Sequence, residues 1–376
     1  MEHYLDNSAT TRVCPEAAQA AMDAMLETYG NPSSTYTKGR EAKALLDASR
    51  KKVADALGCQ PGELVFTSCG SESDSWAILS GAEAMRRRGG HVISSAVEHD
   101  AVRKSMEELK SRGFEITLLQ PDRTGAIRAE AVEAALRPDT ILVSLMLVNN
   151  ETGAVTDLPA VSRVLKAAAS PALLHADAVQ AFCKLDFTPK SLGADLISVS
   201  GHKIHAPKGV GALYIRKGLR LKPYILGGSQ EDGRRAGTEA VPQIAAFGEA
   251  ARIAKAGLRE NAAHMASLKA ETIARLHAAI PELQWIDTAA PHILSISLPG
   301  WRSEVLMNFL EVREIYVSRS SACKKGARSH VLEAIGMDTR AIDGALRIGF
   351  SRFSTEDDVE ALCAALTDAR NTLAHR

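Results

Sequence analysis

Short apolar runs alternate with longer stretches of helical periodicity along the first two thirds of the chain. The apolar runs end at clusters of Gly, Ser and Asn, which is typical of buried strands. Between them, apolar residues recur every three or four positions, which predicts amphipathic helices. Repeated β-α units of this length predict an α/β fold, a mostly parallel sheet with helices on both faces. The seven predicted strands cover residues 63–67, 91–95, 114–118, 141–147, 172–175, 196–199 and 211–215.

The pattern changes after Gly237-Thr238. A long helical stretch covers residues 242–279, and shorter strand and helix patterns follow it up to a last amphipathic helix at 355–373. We therefore expect a large domain over residues 1–245 and a small α+β domain over residues 246–376. The first 15 or so residues are expected to pack with the small domain.

The charge, the apolar runs and the cysteines of the chain argue against several classes of protein. The chain has 376 residues with 45 basic and 45 acidic side chains, so its formal net charge is zero and a nucleic-acid surface is not expected as its main feature. The most apolar run, residues 141–148, is far shorter than a membrane span, and the N-terminus has no secretory signal pattern. Six scattered cysteines without a C-x-x-C pair predict no metal site and favour a reducing cytoplasm.

One lysine stands out by its position. Lys203 follows a predicted buried strand, behind Ser200, Gly201 and His202. Lysine is rarely buried, and desolvation lowers its pKa and leaves an amine that can form a Schiff base with a carbonyl cofactor. Ser200 and His202 could donate to a phosphate. Taken alone, Lys203 is better explained as a surface lysine in a turn.

Other chemistry-bearing residues also follow predicted strands, where ligands bind in doubly wound sheets. Gly70 and Ser71 open a helix whose free N–H groups suit a phosphate, although such turns are also ordinary helix caps. His99 follows the next strand, where a structural role is the common alternative.

Two further strands end in polar turns. Asn150 follows one, and Asp177 with Gln180 follows the other. A buried aspartate needs a partner, and a protonated pyridine nitrogen would keep a pyridoxal ring an effective electron sink. Together with Lys203, these residues indicate pyridoxal 5′-phosphate (PLP).

The same residues carry a resemblance to a known family. The chain resembles the cysteine desulfurases of the class V aminotransferase family, within the fold-type I PLP enzymes, and the similarity covers nearly its whole length. The matching segments are Tyr4-Leu5-Asp6-Asn7-Ser8-Ala9-Thr10-Thr11, Gly30-Asn31-Pro32-Ser33-Ser34, Phe66-Thr67-Ser68-Cys69-Gly70-Ser71-Glu72-Ser73, Glu98-His99, Val148-Asn149-Asn150-Glu151, Asp177-Ala178-Val179-Gln180, Ser200-Gly201-His202-Lys203 and Arg235-Ala236-Gly237-Thr238.

The resemblance implies a role for each position. Lys203 forms the Schiff base, Asp177 pairs with the pyridine nitrogen, and His99 stacks on the ring and shuttles protons. The remaining positions surround the cofactor: Gln180 and Asn150 lie near the phenolic oxygen, Gly70, Ser71, Ser200 and His202 hold the phosphate, and Thr238 reaches it from the second subunit of a homodimer.

A cysteine and an arginine would act on the substrate. Cys323 lies in a small, basic loop beside Lys324 and Lys325, which favour the thiolate. By resemblance it takes the sulfur of L-cysteine as a persulfide, releases alanine and passes the sulfur to an acceptor protein for iron–sulfur clusters or thiolated cofactors. Arg347 matches the arginine that grips the substrate carboxylate, with Asn150 also near the substrate, while a plain salt bridge is its structural alternative.

Other functions remain open at this point. A selenocysteine lyase or a class V aminotransferase would use the same cofactor site, and a transaminase would not require Cys323. A non-enzymatic alternative is an inactive sulfur-relay or scaffold subunit, against which the intact Lys203, Asp177 and His99 argue. Zinc binding at His202 and His205 is a remote option, since no further ligand cluster lies nearby.

Overall fold

The computed structural model describes residues 2–319 and 328–374. Its strands are β1 His3–Tyr4, β2 Leu64–Thr67, β3 His91–Ser95, β4 Glu115–Leu119, β5 Thr140–Met146, β6 Leu173–Asp177, β7 Leu196–Ser200, β8 Gly211–Ile215, β9 Gln284–Ile286, β10 Ile293–Ser297, β11 Ile315–Tyr316, β12 Ser318–Arg319 and β13 Ala345–Gly349. Its α-helices are α1 Pro15–Leu26, α2 Thr37–Leu57, α3 Gly70–Met85, α4 Asp100–Ser111, α5 Ala129–Ala135, α6 Leu158–Ala167, α7 Pro189–Leu192, α8 Val241–Ala256, α9 Leu258–Ala279, α10 Ser303–Glu311, α11 His330–Ala334, α12 Thr339–Asp343 and α13 Glu356–Thr372.

A seven-stranded sheet in the order β2-β8-β7-β6-β5-β3-β4 forms the centre of the large domain. β8 is antiparallel to both of its neighbours, and the remaining pairs are parallel. Because β2 and β7 both oppose β8, β2 runs in the same direction as the parallel strands. The predicted α/β fold with a mostly parallel sheet is confirmed. The carboxyl ends of six strands therefore meet along one edge.

Apolar cores cover both faces of this sheet. All seven residues of β5 are buried, as expected of a strand with helices on either side. One core includes buried side chains of α2, α6 and α8, and the other includes those of α3 and α4. The strands are thus held rigidly, and the turns that follow them are the parts of the chain available to a ligand.

A four-stranded antiparallel sheet in the order β12-β13-β10-β9 forms the small domain. Side chains of α9, α10 and α13 pack in its core together with Leu346 and Ile348 of β13. Leu5 near the N-terminus is fully buried in the same core. β1 also pairs in parallel with β11.

The long helical stretch of the sequence is divided into two helices. α8 ends at Ala256 and α9 begins at Leu258, so Gly257 separates them. Buried residues of α8 belong to the core beneath the sheet, whereas those of α9 belong to the small-domain core. We propose the domain boundary at Gly257. The short strands β11 and β12 follow one another closely in sequence but pair with different partners.

Residues 6–11 run between the two domains and are called the N-terminal strap. Asp6 forms an isolated bridge with Gly349, and the N–H of Asn7 donates to the Gly349 carbonyl at 3.2 Å. At its far end, the N–H of Thr11 donates to the carbonyl of His202 at 2.9 Å. The strap therefore joins β13 to the turn after β7. Within the described ranges, no helix is long and apolar enough to cross a membrane.

Candidate active site

A cavity of about 430 Å³ opens where the carboxyl ends of the strands face the small domain. Polar side chains from many separate segments reach it, as expected for a site built at strand ends. The residues predicted from sequence that line it are Gly70, Ser71, His99, Asn150, Asp177, Gln180, Ser200, His202, Lys203 and Arg347. The structure thus brings together ten of the predicted positions in one place.

Lys203 lies in a single 3₁₀ turn, Gly201–Lys203, directly after β7. Its amine donates to the carbonyls of Ser8 and Ala9 at 2.6 and 2.7 Å. Both acceptors belong to the N-terminal strap. The Lys203 amine is thus held by a segment that lies almost two hundred residues earlier in the chain. The amine of Lys203 is partly buried at the floor of the cavity.

The first turn of α3 offers donors to an anion. The first N–H groups of any helix lack acceptors within the helix. The side chain of Cys69, which precedes α3, does not accept a hydrogen bond from them. An added Cβ at Gly70 would lie 2.7 Å from Val179 Cγ2, which shows how closely the chain approaches there. The Ser200 hydroxyl is buried without a partner beside this turn. Ser71 is exposed.

Three buried carboxyl residues line the cavity. Asp177 ends β6, Asp74 lies on α3, and Glu98 follows β3. Burial raises the pKa of Asp177 and the pKa of Asp74, and repulsion from Asp177 adds to the shift at Asp74. Burial also raises the pKa of Glu98 to about 8. One oxygen each of Asp74 and Glu98 has no partner.

His175 does not neutralise these carboxyl groups. Both ring nitrogens contact serine hydroxyls, those of Ser144 at 2.8 Å and Ser198 at 3.0 Å. Burial lowers the pKa of His175 to about 3, so the imidazole is neutral. Its Nε2 lies 3.7 Å from an Asp74 oxygen, which is therefore not an ion pair. His175 therefore gives these carboxyl groups no positive charge, and a cationic ligand atom would offset them.

His99 and Gln180 are oriented by the backbone. The Nδ1 of His99 accepts from the N–H of Ala101 at 3.2 Å, which leaves the other side of the ring to the cavity. The amide nitrogen of Gln180 donates to the Ser8 carbonyl at 2.8 Å. The ring of His202 contacts the Thr10 hydroxyl at 3.2 Å, and burial lowers the pKa of His202 to about 4.

Arg347 lies in the middle of β13 and is only 2% exposed. Its guanidinium donates to the Asn150 carbonyl at 2.9 Å, to Ser318 Oγ at 2.8 Å and to Asp6 Oδ1 at 3.1 Å. Its Nε is buried without a partner. The group is thus fixed in direction by both domains and by the strap. A guanidinium held in this way can bind a carboxylate through parallel hydrogen bonds.

The segment that contains Cys323 lies outside the described residues. Its described neighbours are anchored at the cavity. Ser318 donates to Asp6 Oδ1 at 2.8 Å, and Ser329 donates a short hydrogen bond to the buried Glu151. Burial raises the pKa of Glu151 to about 7.

Thr238 lies apart from the cavity. It is exposed and lines a separate small depression with Arg235 and Glu239. Arg235 pairs there with Glu72 of α3 at 2.9 Å. Thr238 is therefore placed on the surface of this chain, near the first turn of α3.

Several residues of this region were missed by the sequence reasoning. Asp74 is buried on α3, and Lys184 is buried in the turn after β6. In the sequence alone, both look like ordinary polar positions. Burial lowers the pKa of Lys184 to about 7, and its amine lies 3.5 Å from the Gln180 side-chain carbonyl. Asp6 and Glu151 lie inside segments that match the family, but the resemblance implies no role for either residue. A polar residue within an otherwise apolar helix face was the available signal for Asp74.

Comparison with known proteins finds one family that matches nearly the whole chain. The family model described as Aminotransferase class-V matches residues 3–362. A curated relative named Cysteine desulfurase IscS, from Methanosarcina thermophila, is 40% identical over 362 residues, which span 95% of this chain and 89% of the relative.

Solved structures agree with this match. One described as a NifS-like protein superimposes with a TM-score of 0.94 at 37% identity, covering 99% of this chain and all of the other. Another, described as SspA in complex with cysteine, has a TM-score of 0.81 at 32% identity, covering 94% of this chain and all of the other. The predicted relationship is confirmed by these matches over nearly the full length.

Proposed function

The chain belongs to the class-V aminotransferase family as a PLP-dependent cysteine desulfurase, and we propose that it converts L-cysteine to L-alanine with the sulfur held as a persulfide on Cys323. The observation that supports this most directly is that Lys203, Asp177 and Arg347 line one cavity. An amine for a carbonyl cofactor, a carboxylate for a pyridinium and a guanidinium for an α-carboxylate are the groups this reaction needs. The full-length similarity to desulfurases favours this function over a selenocysteine lyase, an aminotransferase or an inactive relay subunit.

The residues present fit PLP. The partnerless Ser200 hydroxyl and the uncapped first turn of α3 suit a phosphate, which we assign to Gly70, Ser71, Ser200 and His202. The buried carboxyl cluster, which the neutral His175 does not compensate, suits a protonated ring nitrogen at Asp177. We assign the ring stacking to His99, and we place Gln180 and Asn150 beside the phenolic oxygen.

PLP bound at Lys203 supplies an electron sink that makes the bonds around the substrate Cα reactive. The protein residues do the rest. Arg347 binds the carboxylate of L-cysteine, with Asn150 beside it, and so fixes the direction of the substrate thiol. His99 and Lys203 hold and move protons at the face of the cavity where the substrate lies.

Sulfur leaves the substrate by attack of a thiolate. The Cys323 sulfur forms an S–S bond with the cysteine sulfur as the Cβ–S bond breaks, and the electron pair of that bond remains with the carbon fragment. That fragment takes a proton and leaves as L-alanine. Lys324 and Lys325 follow in sequence and favour the thiolate. The persulfide then passes to an acceptor protein for iron–sulfur cluster or thio-cofactor synthesis.

A homodimer is part of this proposal. Large apolar side chains are exposed at the end of α1 and beyond it, with Leu26 70% and Tyr29 67% exposed. Leu226, in the loop leading to Thr238, is 82% exposed. Exposed apolar groups of this size commonly mark protein interfaces. A second copy covering them would carry Thr238 of each chain towards the phosphate site of the other.

We also place the protein in the cytoplasm, with no direct role for nucleic acid or membrane. The proposal of a reducing compartment rests on the scattered cysteines of the sequence, which contain no C-x-x-C pair. The acceptor protein would dock near the Cys323 segment.

The test is sulfide and alanine release from L-cysteine with a reductant present. Cys323→Ser should keep the absorbance of bound PLP and lose desulfuration. Cys59→Ser is the matched control, because burial raises the pKa of the Cys59 thiol to about 12 and makes it a poor nucleophile. Equal activity of wild type and Cys323→Ser would refute the persulfide step. Absence of bound PLP in the wild type would refute the cofactor site.

A further inference from the structure

The N-terminal strap contacts several predicted catalytic and binding groups at once. The carbonyls of Ser8 and Ala9 each accept a hydrogen bond from the Lys203 amine. The Ser8 carbonyl also accepts from the Gln180 amide at 2.8 Å. Asp6 lies 3.1 Å from the Arg347 guanidinium. One short segment therefore touches the groups assigned to cofactor and to substrate.

The strap has little freedom to move. The side chain of Asn7 donates to the carbonyls of Tyr4 and Gly349 at 3.0 and 2.9 Å. An added Cβ at Gly349 would lie 2.6 Å from the Ser8 nitrogen and 2.7 Å from its hydroxyl. Contacts below 3.0 Å force a shift, so only glycine allows β13 to approach Ser8 this closely. The packing of β13 thus sets the position of the two carbonyls.

We propose that the N-terminal strap is a positioning element for Lys203: the Ser8 and Ala9 carbonyls accept hydrogen bonds from its primary amine and hold that amine next to the substrate carbons during proton transfer. This proposal rests on the proposed role of Lys203 as the cofactor lysine. A neutral amine has two N–H groups, and two carbonyls at 2.6 and 2.7 Å can accept both. Asn7 and Gly349 are positioning residues because they act through the strap and do not line the cavity.

The strap also links this amine to substrate binding. Asp6 shares the Arg347 guanidinium with Ser318 and the Asn150 carbonyl. A guanidinium has five N–H groups, so a substrate carboxylate at Arg347 would share this group with Asp6. Binding of the amino acid therefore bears on the strap two residues before Ser8. The two carbonyls that hold Lys203 are not among the groups that Arg347 contacts, so we expect a strap variant to change turnover more than substrate affinity.

The test compares Gly349→Ala with Gly62→Ala. An added Cβ at Gly62 meets nothing within 4 Å, whereas at Gly349 it meets Ser8. Each purified holoenzyme is measured for kcat and KM with L-cysteine, for the pH midpoint of its bound-PLP absorbance, and for its melting temperature. The rate at which the apoprotein takes up PLP gives a readout independent of activity.

We expect Gly349→Ala to lower kcat by about tenfold to a hundredfold, because displacements near 1 Å have effects of this size. Its KM should stay within about threefold of wild type. The pH midpoint should move by about half a unit or more, and PLP uptake should slow. Gly62→Ala should match wild type throughout. Unchanged kcat and midpoint in a folded Gly349→Ala would overturn the proposal.

Asn7→Ala provides a second variant in case Gly349→Ala does not fold. It removes the two side-chain donors that tie the strap to Tyr4 and Gly349 but leaves every carbonyl in place. A lower melting temperature with unchanged kcat and pH midpoint would make the strap purely structural and contradict the proposal. A failed proposed function looks different, because wild type would then lack bound PLP or release no alanine.

Discussion

Gly70→Ala tests the phosphate site with one added methyl group. The new Cβ would lie 2.7 Å from Val179 Cγ2 and 3.5 Å from Ser200 Cβ. Ordinary carbon contacts lie at about 3.5–4.0 Å, so the overlap with Val179 is close to 1 Å. Val179 is β-branched and stiff, and its N–H donates to Asp177 at 3.0 Å. Relief of the overlap therefore disturbs both the turn and the carboxylate assigned to the ring nitrogen.

The magnitude follows from the cost of overpacking. Forcing a methyl group into a packed site costs about 1–3 kcal/mol. If that strain falls on the bound state, PLP affinity decreases by about fivefold to a hundredfold. The helix itself should not suffer, since alanine is the better helix former by up to about 1 kcal/mol. The overlap with Val179 is also present without PLP, so the apoprotein should melt below wild type as well as bind PLP less tightly.

Gly81→Ala, in the same helix, is the matched control. Its Cβ meets only leucine methyl groups, at 3.4 and 3.8 Å, and it lies away from the cavity. Titration of each apoprotein with PLP, followed by absorbance, gives the dissociation constants. Gly81→Ala should bind like wild type. If Gly70→Ala also binds PLP with wild-type affinity, the assignment of this turn to the phosphate is wrong.

Three further predictions concern substrate binding, pH and stability. Arg347→Lys should raise the KM for L-cysteine by about tenfold or more with an unchanged PLP spectrum, because an ammonium lacks the bidentate fork; an unchanged KM would exclude Arg347 as the carboxylate ligand. Burial raises the pKa of Glu98 to about 8 in the folded state, so the native chain keeps a proton that the unfolded chain loses. The free energy of unfolding of the wild type should therefore fall relative to Glu98→Gln by about 4 kcal/mol between pH 5 and 8. Urea unfolding at each pH measures this difference. A flat difference would mean that Glu98 is already ionised at pH 5. Arg50→Met should lower the free energy of unfolding by about 3–5 kcal/mol in the same assay. Arg50 contacts Glu231 at 2.7 Å, and the variant leaves that buried carboxylate without its guanidinium partner. A loss below about 1 kcal/mol would contradict the pairing.

The strand-end residues could be predicted from sequence because their placement follows from topology. Asp177 ends β6, and Lys203 comes just after β7, and parallel neighbours bring such positions to one edge whatever the details of packing. The alternation of apolar runs and helical patterns was enough to locate these strands. The candidate cavity was thus foreseeable in its main residues.

Contacts between distant segments could not be predicted in the same way. Asp6 meets Arg347 across 341 positions, and no local pattern encodes that pairing. Asp74 faces the cavity only because α3 packs on the sheet with that side inwards. The end of α8 was also hidden, since a single glycine such as Gly257 costs a helix only about 1 kcal/mol and often lies within one.

The pairing of the strap with β13 has a consequence for synthesis of the chain. Asn7 is among the first residues to leave the ribosome, and its partner Gly349 follows 342 positions later. The seven-stranded sheet is complete at Ile215, so its strands can pair while the first residues still lack their place. Leu5 likewise finds its core only once β13 and α13 have emerged. The N-terminus can therefore dock only after most of the chain has been made, and a nascent chain that has not yet passed Gly349 lacks the contact that fixes the strap beside Lys203.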